Sequence, residues 1–313
     1  RKLAAQCLDR MGADFLANVG TASAARDMDV VRAALGENQI NYLGFSYGTE
    51  IGAAYADSYP DRVRAMVLDG AVDPSLDPIT ESVNQMAGFQ RAFDDYAADC
   101  AKSPDCPLGT DPTQFVDRYH QLVDPLVTRP AVTADPRGLG YQDAITGTGS
   151  ALYSPRFWLY LTSGLLGLQD GTDPIDLLLL ADDYQQRGKD GHYQNRQDAF
   201  NAVRCVDADY PTDPAVWADA DRRVRQVAPF LSYGEFTGYA PSDICADWPV
   251  PPTSTVGPAT SPGPGKVVVV STTGDPATPY EAGVALARQM DAALITFDGT
   301  QHTVVFNGDA CVD

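Results

Sequence analysis

Apolar positions in the first third of the chain change period at short intervals. Over residues 24–35, "AARDMDVVRAAL", they fall at Met28, Val31, Ala34 and Leu35, the spacing of one face of a helix. Gly36 follows, a residue type that readily takes the left-handed conformation ending a helix. "QINYLGF" is a short, mostly apolar run that predicts a strand, and "GTEIGAAYADSYP" reads as a helix of small residues ended by Pro60. "VRAMVLDG" predicts a buried strand closed by Asp69 and Gly70. Helix, strand, tight turn, helix, strand is the alternation of a parallel sheet covered on both faces.

From about Asp73 to Pro264 strand signals become scarce. "SVNQMAGFQRAFDDYAADC", "TQFVDRYHQLV" and "DPIDLLLLADDYQQRG" are helical, with Asp173 and Pro174 of the types expected at an N-cap and first turn. "DWPVPPTSTVGPATSPGPGK" lacks periodicity and reads as a surface connector. "KVVVVSTTGD" then predicts a fully buried strand, "TPYEAGVALARQM" an amphipathic helix, and "AALITFDGTQH" a last strand and loop. No internal repeat is visible. The expected organisation is an α/β core over residues 1–75 and 265–313, interrupted by a largely helical insertion over 76–264 that includes the connector.

Between the first strand and its helix stands Gly44-Phe45-Ser46-Tyr47-Gly48, a G-x-S-x-G pattern. On a sharp strand-to-helix turn, glycines two residues either side of the serine avoid collisions with neighbouring backbone. The serine Oγ is then held at the carboxyl edge of the sheet. The helix N-terminus and the Tyr47 backbone N–H are aimed where an oxyanion would form. The bare pattern is expected about 0.1 times by chance in a chain of this composition, so the flanking strand and helix carry the weight.

A nucleophilic serine needs a base, and three histidines are available. His120 lies within a helical stretch and His192 in a polar loop with no strand before it; His302 follows the strand "AALITF" and the turn "DGTQ". His302 is the candidate base. The acid is expected between serine and histidine in chain order, and Asp275 ends the strand "VVVVST" 27 positions before His302. A carboxylate there holds the imidazole tautomer and stabilises the imidazolium. Asp69, at the end of "AMVLD", is the runner-up, with a capping or turn role preferred. Thr278 and Pro279 are expected to shape the turn that aims Asp275.

Composition narrows the partners. The 313 residues are 44% hydrophobic and 20% charged, with a formal net charge of -20, which argues against nucleic acid or an anionic membrane surface. That charge does not repel a substrate with a cationic amine. No run of about 18 apolar residues exists. The opening "RKLAAQCLDRMGADF" reads as the interior of a helical region, not a leader. Of six cysteines, none forms a metal-type CxxC pair, and zinc would want closer His or Cys neighbours. An even, scattered set suggests an oxidising compartment; six buried thiols in a cytosolic protein is the alternative. Cys100 and Cys106 flank "AKSPD", a turn-rich loop that a disulfide would close.

"NYLGFSYGTEIGAAYADSYPDRVRAMVLDGAVDP", with "GDPATPYEAGVALARQM", "LITFDGTQH" and the final "CVD", resembles the exported tripeptidyl-aminopeptidase branch of the α/β-hydrolases. That branch is related to prolyl iminopeptidases and includes cell-envelope serine hydrolases first labelled carboxylesterases. The resemblance is tight around Ser46, Asp275 and His302 and looser through the insertion, including "AVRCVDAD" and "DICADWP". It implies an α/β-hydrolase sheet with a helical cap, a Ser-His-Asp peptidase or esterase, a secreted or envelope location, no metal or organic cofactor, and a Cys205–Cys245 disulfide. Cys7 and Cys311 are left to pair elsewhere. Two departures stand out. Gln301 occupies the position before the histidine where the family usually has glycine. The family's N-terminal half-sheet, with a Gly-Gly-Pro-Gly type loop that donates the second oxyanion N–H, has no counterpart here; "ADPRGLG" at 134–140 matches an Asp-Pro-Arg-Gly type turn only superficially. A separate chain or segment of the same precursor is therefore expected to complete the sheet, with an inactive C-terminal fragment that needs its N-terminal half as the alternative.

For the substrate pocket, Tyr153, Phe157, Trp158 and Tyr160 are candidate lining residues, with packing as the alternative. Glu50, Asp207 and Asp209 are candidate carboxylates for a substrate amine, and the sequence does not choose among them.

Overall fold

The computed structural model describes residues 1–254 and 257–313, so two residues of the predicted connector lie outside the described set. The elements run α1 (Lys2–Met11), α2 (Ala13–Leu16), α3 (Thr21–Ala34), β1 (Ile40–Phe45), α4 (Tyr47–Ser58) and β2 (Val63–Asp69). A helical stretch follows: α5 (Pro78–Cys100), α6 (Phe115–Val123), α7 (Tyr141–Leu152), α8 (Trp158–Asp170), α9 (Ile175–Gln185), α10 (Arg196–Asp207) and α11 (Pro214–Val227). The chain ends with β3 (Val267–Thr272), α12 (Tyr280–Gln289) and β4 (Ala293–Phe297). No described helix is long and apolar enough to cross a membrane.

Two compact units form: residues 1–85, 198–222 and 236–313 make the first, and 86–197 with 223–235 the second. In the first, four parallel strands lie in the order β1-β2-β3-β4. Phe45 pairs with Asp69 and Asp69 with Val270, which brings the ends of β1, β2 and β3 to one level at the carboxyl edge. Ala25 of α3, Ala53, Tyr55 and Ala56 of α4, Leu286 and Ala287 of α12, and Met290 at the C-cap of α12 share one buried cluster with Met66, Leu68, Val267 and Val269. All three helices thus cover the same face. Leu43 and Phe45, alternating with the buried Gly44, are exposed, and β1 pairs with a strand on one side only among the described residues.

The second unit is helical, held by a stack of Phe93 on Phe230 at 4.6 Å with Tyr119 against both edges. Its two extended contacts, Ala131 with Leu139 and Arg187 with Tyr193, are isolated bridges. Helix α9 starts one position later than Asp173 and Pro174 suggested: Pro174 is the N-cap, and the Asp173 carboxylate accepts the Ala134 N–H at 2.9 Å instead.

Two sequence expectations shift. Residues 76–85, 198–222 and 236–264 belong with the first unit, not the helical one. Long-range ties explain this: Cys205 is bonded to Cys245, the Arg204 guanidinium pairs with Asp243, and the Asp207 carboxylate accepts from Thr21. Helix α3 also begins three residues before "AARDMDVVRAAL", because Asp207 takes the Thr21 N–H that the first helical turn leaves over. Both cysteine pairs, Cys100–Cys106 and Cys205–Cys245, are disulfides, leaving Cys7 and Cys311 as thiols.

Candidate active site

Ser46 sits between β1 and α4 with φ 54 and ψ -125, a left-handed conformation costing a non-glycine residue about 1–3 kcal/mol. Its neighbours hold it there. The Ser46 N–H donates to the Asp69 carbonyl at 2.9 Å, extending the β1–β2 ladder into the turn. Its own carbonyl accepts from both the N–H and the hydroxyl of Thr49, at 2.8 and 2.6 Å. The buried Thr49 hydroxyl in turn accepts the Val72 N–H at 3.0 Å, tying α4 to the segment after β2. Tyr47 is the first residue of α4, and N–H groups in a first helical turn point out of the helix without intrahelical partners.

The two glycines of the pattern are not equivalent. A Cβ on Gly44 would lie 2.5 Å from the Gly48 carbonyl oxygen and 2.7 Å from Tyr42 Cε1, whereas one on Gly48 would meet only the Tyr42 hydroxyl at 3.7 Å. The steric demand expected of both therefore falls on Gly44 alone. It recurs unannounced at Gly52, where a Cβ would come within 2.6 Å of Tyr42 Cε1 and 2.8 Å of Leu68 Cδ2.

Across the strand ends, His302 Nδ1 lies 3.0 Å from each oxygen of Asp275 and 3.3 Å from Thr278 Oγ1. Asp275 is 1% exposed. Its Oδ1 accepts the N–H groups of Ala277 and Thr278, both at 2.9 Å, and Oδ2 accepts the Thr278 hydroxyl at 3.1 Å. An ionised carboxylate only accepts, so this network assigns the imidazole proton to Nδ1 and the lone pair to Nε2, the tautomer a general base requires. Gln301 braces the loop by donating to the Thr303 carbonyl at 2.9 Å.

The other histidines have structural partners. His120 bridges Asp124 and the Pro229 carbonyl, each at 3.0 Å, inside the helical unit, and His192 is exposed. Of the aromatic candidates, Tyr153 packs on Phe89 and Tyr184 and Trp158 on Tyr96; Phe157 and Tyr160 are exposed. Among the described residues, the His/Cys/Asp/Glu group dense enough for a metal is Cys205, Asp243 and Cys245. Both sulfurs are in the disulfide and the carboxylate is on Arg204, so that set offers no thiolate.

Glu50, Asp207 and Asp209, which the sequence leaves equivalent, have different surroundings. Asp209 is exposed. The Asp207 carboxylate accepts from the Thr21 N–H and hydroxyl, both at 2.7 Å, and from the Tyr47 hydroxyl at 3.4 Å; Tyr47 is also bonded to Thr21. Burial is the main cause that raises Asp207, against those bonds. Glu50, one turn into α4, is pushed up to about 8, first by burial and then by the charges of Asp207 and Glu81.

A stability signature follows. The fold favours protonated Glu50, so its contribution is present below the ordinary carboxylate value of 4.5 and is lost as pH rises towards about 8. A fully shifted group loses about 1.4 kcal/mol per pH unit in that window. Glu50→Gln is therefore expected to flatten the decline of Tm between those limits; identical slopes in variant and wild type would refute the assignment.

The chain matches the alpha/beta hydrolase fold family over residues 6–309. It belongs to that family. It is 70% identical over 313 residues to carboxylesterase B of Mycobacterium tuberculosis, covering all of this chain and 60% of that protein. It is 56% identical over 320 residues to serine protease Hip1 of the same organism, covering 61% of it. It is 31% identical over 329 residues to the tripeptidyl aminopeptidase of Streptomyces lividans, covering 58% of it. This α/β-hydrolase chain therefore spans about 60% of the length of the curated relatives it matches.

Proposed function

We propose that this chain carries the reacting residues of an exported serine hydrolase that cleaves peptide bonds through an acyl-enzyme, releasing short N-terminal peptides. The observation that carries the reading is the His302 imidazole, held by both oxygens of a buried Asp275, on the same sheet edge as a serine in a left-handed turn. Ser46 Oγ attacks the substrate carbonyl as His302 Nε2 takes its proton. The developing oxyanion is met by the Tyr47 N–H at the start of α4. His302 then protonates the leaving amine, and a water repeats the sequence in reverse to free Ser46. Asp275 stays ionised throughout and fixes the imidazole.

Peptides are favoured as substrates by relatives named serine protease and tripeptidyl aminopeptidase. A second reading, hydrolysis of carboxylic esters by the same residues, is favoured by the 70% identity to a protein named carboxylesterase B. The two disulfides support a secreted or cell-envelope location. The one-sided edge of β1, with Leu43 and Phe45 exposed beside it, supports completion of the sheet by a further segment of the same precursor. That segment would also supply the second oxyanion donor.

The full-length protein is expected to be labelled by a fluorophosphonate at Ser46, and to lose labelling in Ser46→Ala and His302→Ala. Absence of label on folded protein would end the hydrolase reading. Peptide amides with free and blocked N-termini, run beside simple esters, then separate the two substrates: strict dependence on a free amine identifies the aminopeptidase.

A further inference from the structure

We propose that Asp69 is a positioning residue: it registers the His302 loop against the Ser46 turn and adds its negative charge to that of Asp275 beside the imidazole. The inference rests on the assignment of Ser46, His302 and Asp275 above.

Asp69 ends β2, is fully buried, and works from both its backbone and its side chain. Its carbonyl accepts the Ser46 N–H at 2.9 Å. Its Oδ2 accepts the N–H groups of Val304 and Val305 at 2.7 and 2.8 Å, immediately beyond His302 and Thr303. One residue thus grips the nucleophile's turn through one group and the base's loop through another. A strand-end carboxylate acting only as a local cap would bond to the residues next to it; these bonds cross 235 positions of sequence.

The loop it holds needs holding. Thr303 and Phe306 both lie in the left-handed region, with φ 62 and 68, which non-glycine residues adopt only when their surroundings enforce it. The next residue of β2's exit touches the base itself: a Cβ on Gly70 would come 3.0 Å from His302 Cε1 and 2.9 Å from Thr303 Cγ2. Gly70, at φ 67, lets β2 end directly against the imidazole edge. The strand that carries Asp69 is therefore in contact with the ring, not remote from it.

The second oxygen argues for an electrostatic part. Asp69 Oδ1 is buried and has no hydrogen-bond partner among the described residues, an arrangement that costs stability and calls for a reason. The charged groups acting on Asp69 are His302 and Asp275. Burial, the largest cause, holds its carboxyl above the ordinary value; the two N–H donors and His302 oppose that, and Asp275 adds to it. Two backbone donors on one oxygen favour the ionised form, and an anion here stabilises an imidazolium at His302.

The test uses full-length protein and the rate of Ser46 inactivation by a fluorophosphonate as a function of pH, which does not depend on the natural substrate. Asp69→Asn keeps an acceptor oxygen for Val304 and Val305 but removes the charge. Its imidazolium is harder to form, so the acid limb of the maximal inactivation rate is expected to move down by about one pH unit. Asp69→Leu removes the bonds as well and is expected to lower that rate roughly 10²-fold, with half-saturation by the probe unchanged. An acid limb in Asp69→Asn that superimposes on the wild type overturns the proposal, whatever happens to the rate, because a purely structural role lowers labelling equally at every pH. If Asp69→Leu does not fold, Asp69→Asn decides alone. Wild-type protein unlabelled at Ser46 brings down the proposed function and this inference together; labelled wild type with an immobile limb brings down this inference only.

Discussion

Asp275→Asn is expected to lower kcat about 10⁴-fold in a protein that folds normally. The surroundings of the carboxylate dictate why. Oδ1 accepts two backbone N–H groups, from Ala277 and Thr278, so the asparagine carbonyl has to stay at that position. The amide NH₂ then replaces Oδ2 and faces His302 Nδ1 at 3.0 Å, leaving Oδ1, already engaged by two N–H groups, as the one Asp275-site acceptor near that nitrogen. The imidazole responds by moving its proton to Nε2, and the lone pair that accepts the serine proton disappears from that side. Backbone contacts survive, so circular dichroism and Tm stay close to wild type while esterase or peptidase turnover collapses. Turnover within tenfold of wild type would mean that Asp275 is not the group orienting the base.

A second large effect separates two residues the sequence pattern treats alike. Gly44→Ala is expected to cut fluorophosphonate labelling by more than about 10², whereas Gly48→Ala is expected to label at the wild-type rate. The added methyl at position 44 meets a backbone carbonyl at 2.5 Å, and that carbonyl belongs to the turn carrying Ser46; relief requires moving the nucleophile. At position 48 the methyl enters ordinary contact with the Tyr42 hydroxyl at 3.7 Å. Alanine inside a helix is also preferred to glycine by roughly 0.5–1 kcal/mol, so Tm for Gly48→Ala should hold or rise. Equal losses at the two positions would show that the turn is constrained by something other than this contact.

These contrasts mark what could be read from sequence. Strands β1 to β4, the turn at Ser46 and the pairing of Asp275 with His302 were legible because each is announced locally: an apolar run, a glycine, a short polar loop. The helical character of residues 78–185 was legible for the same reason. What sequence missed depends on contacts between distant positions. Asp69 reads as a strand terminator until Val304 and Val305 are seen on its carboxylate. The start of α3 is set by Asp207, and residues 198–222 join the sheet-bearing unit through a disulfide and an ion pair formed with residues some 40 positions on. Gly52 gave no signal at all, since small residues in a helix are unremarkable until Tyr42 is placed against one of them.

The pairing of β2 with β3 has a consequence for how the protein is made. Asp69 and Val270 are sheet neighbours, yet the whole helical excursion is synthesised between them, an interval of roughly 10–40 s at usual elongation rates. Through that interval the side of β2 that will carry β3 has no strand on it. Residues 86–197, continuous in sequence, can collapse as they emerge. The sheet waits for β3 and β4, and Asp275 and His302, which follow those strands, come beside Gly70 only once they are made.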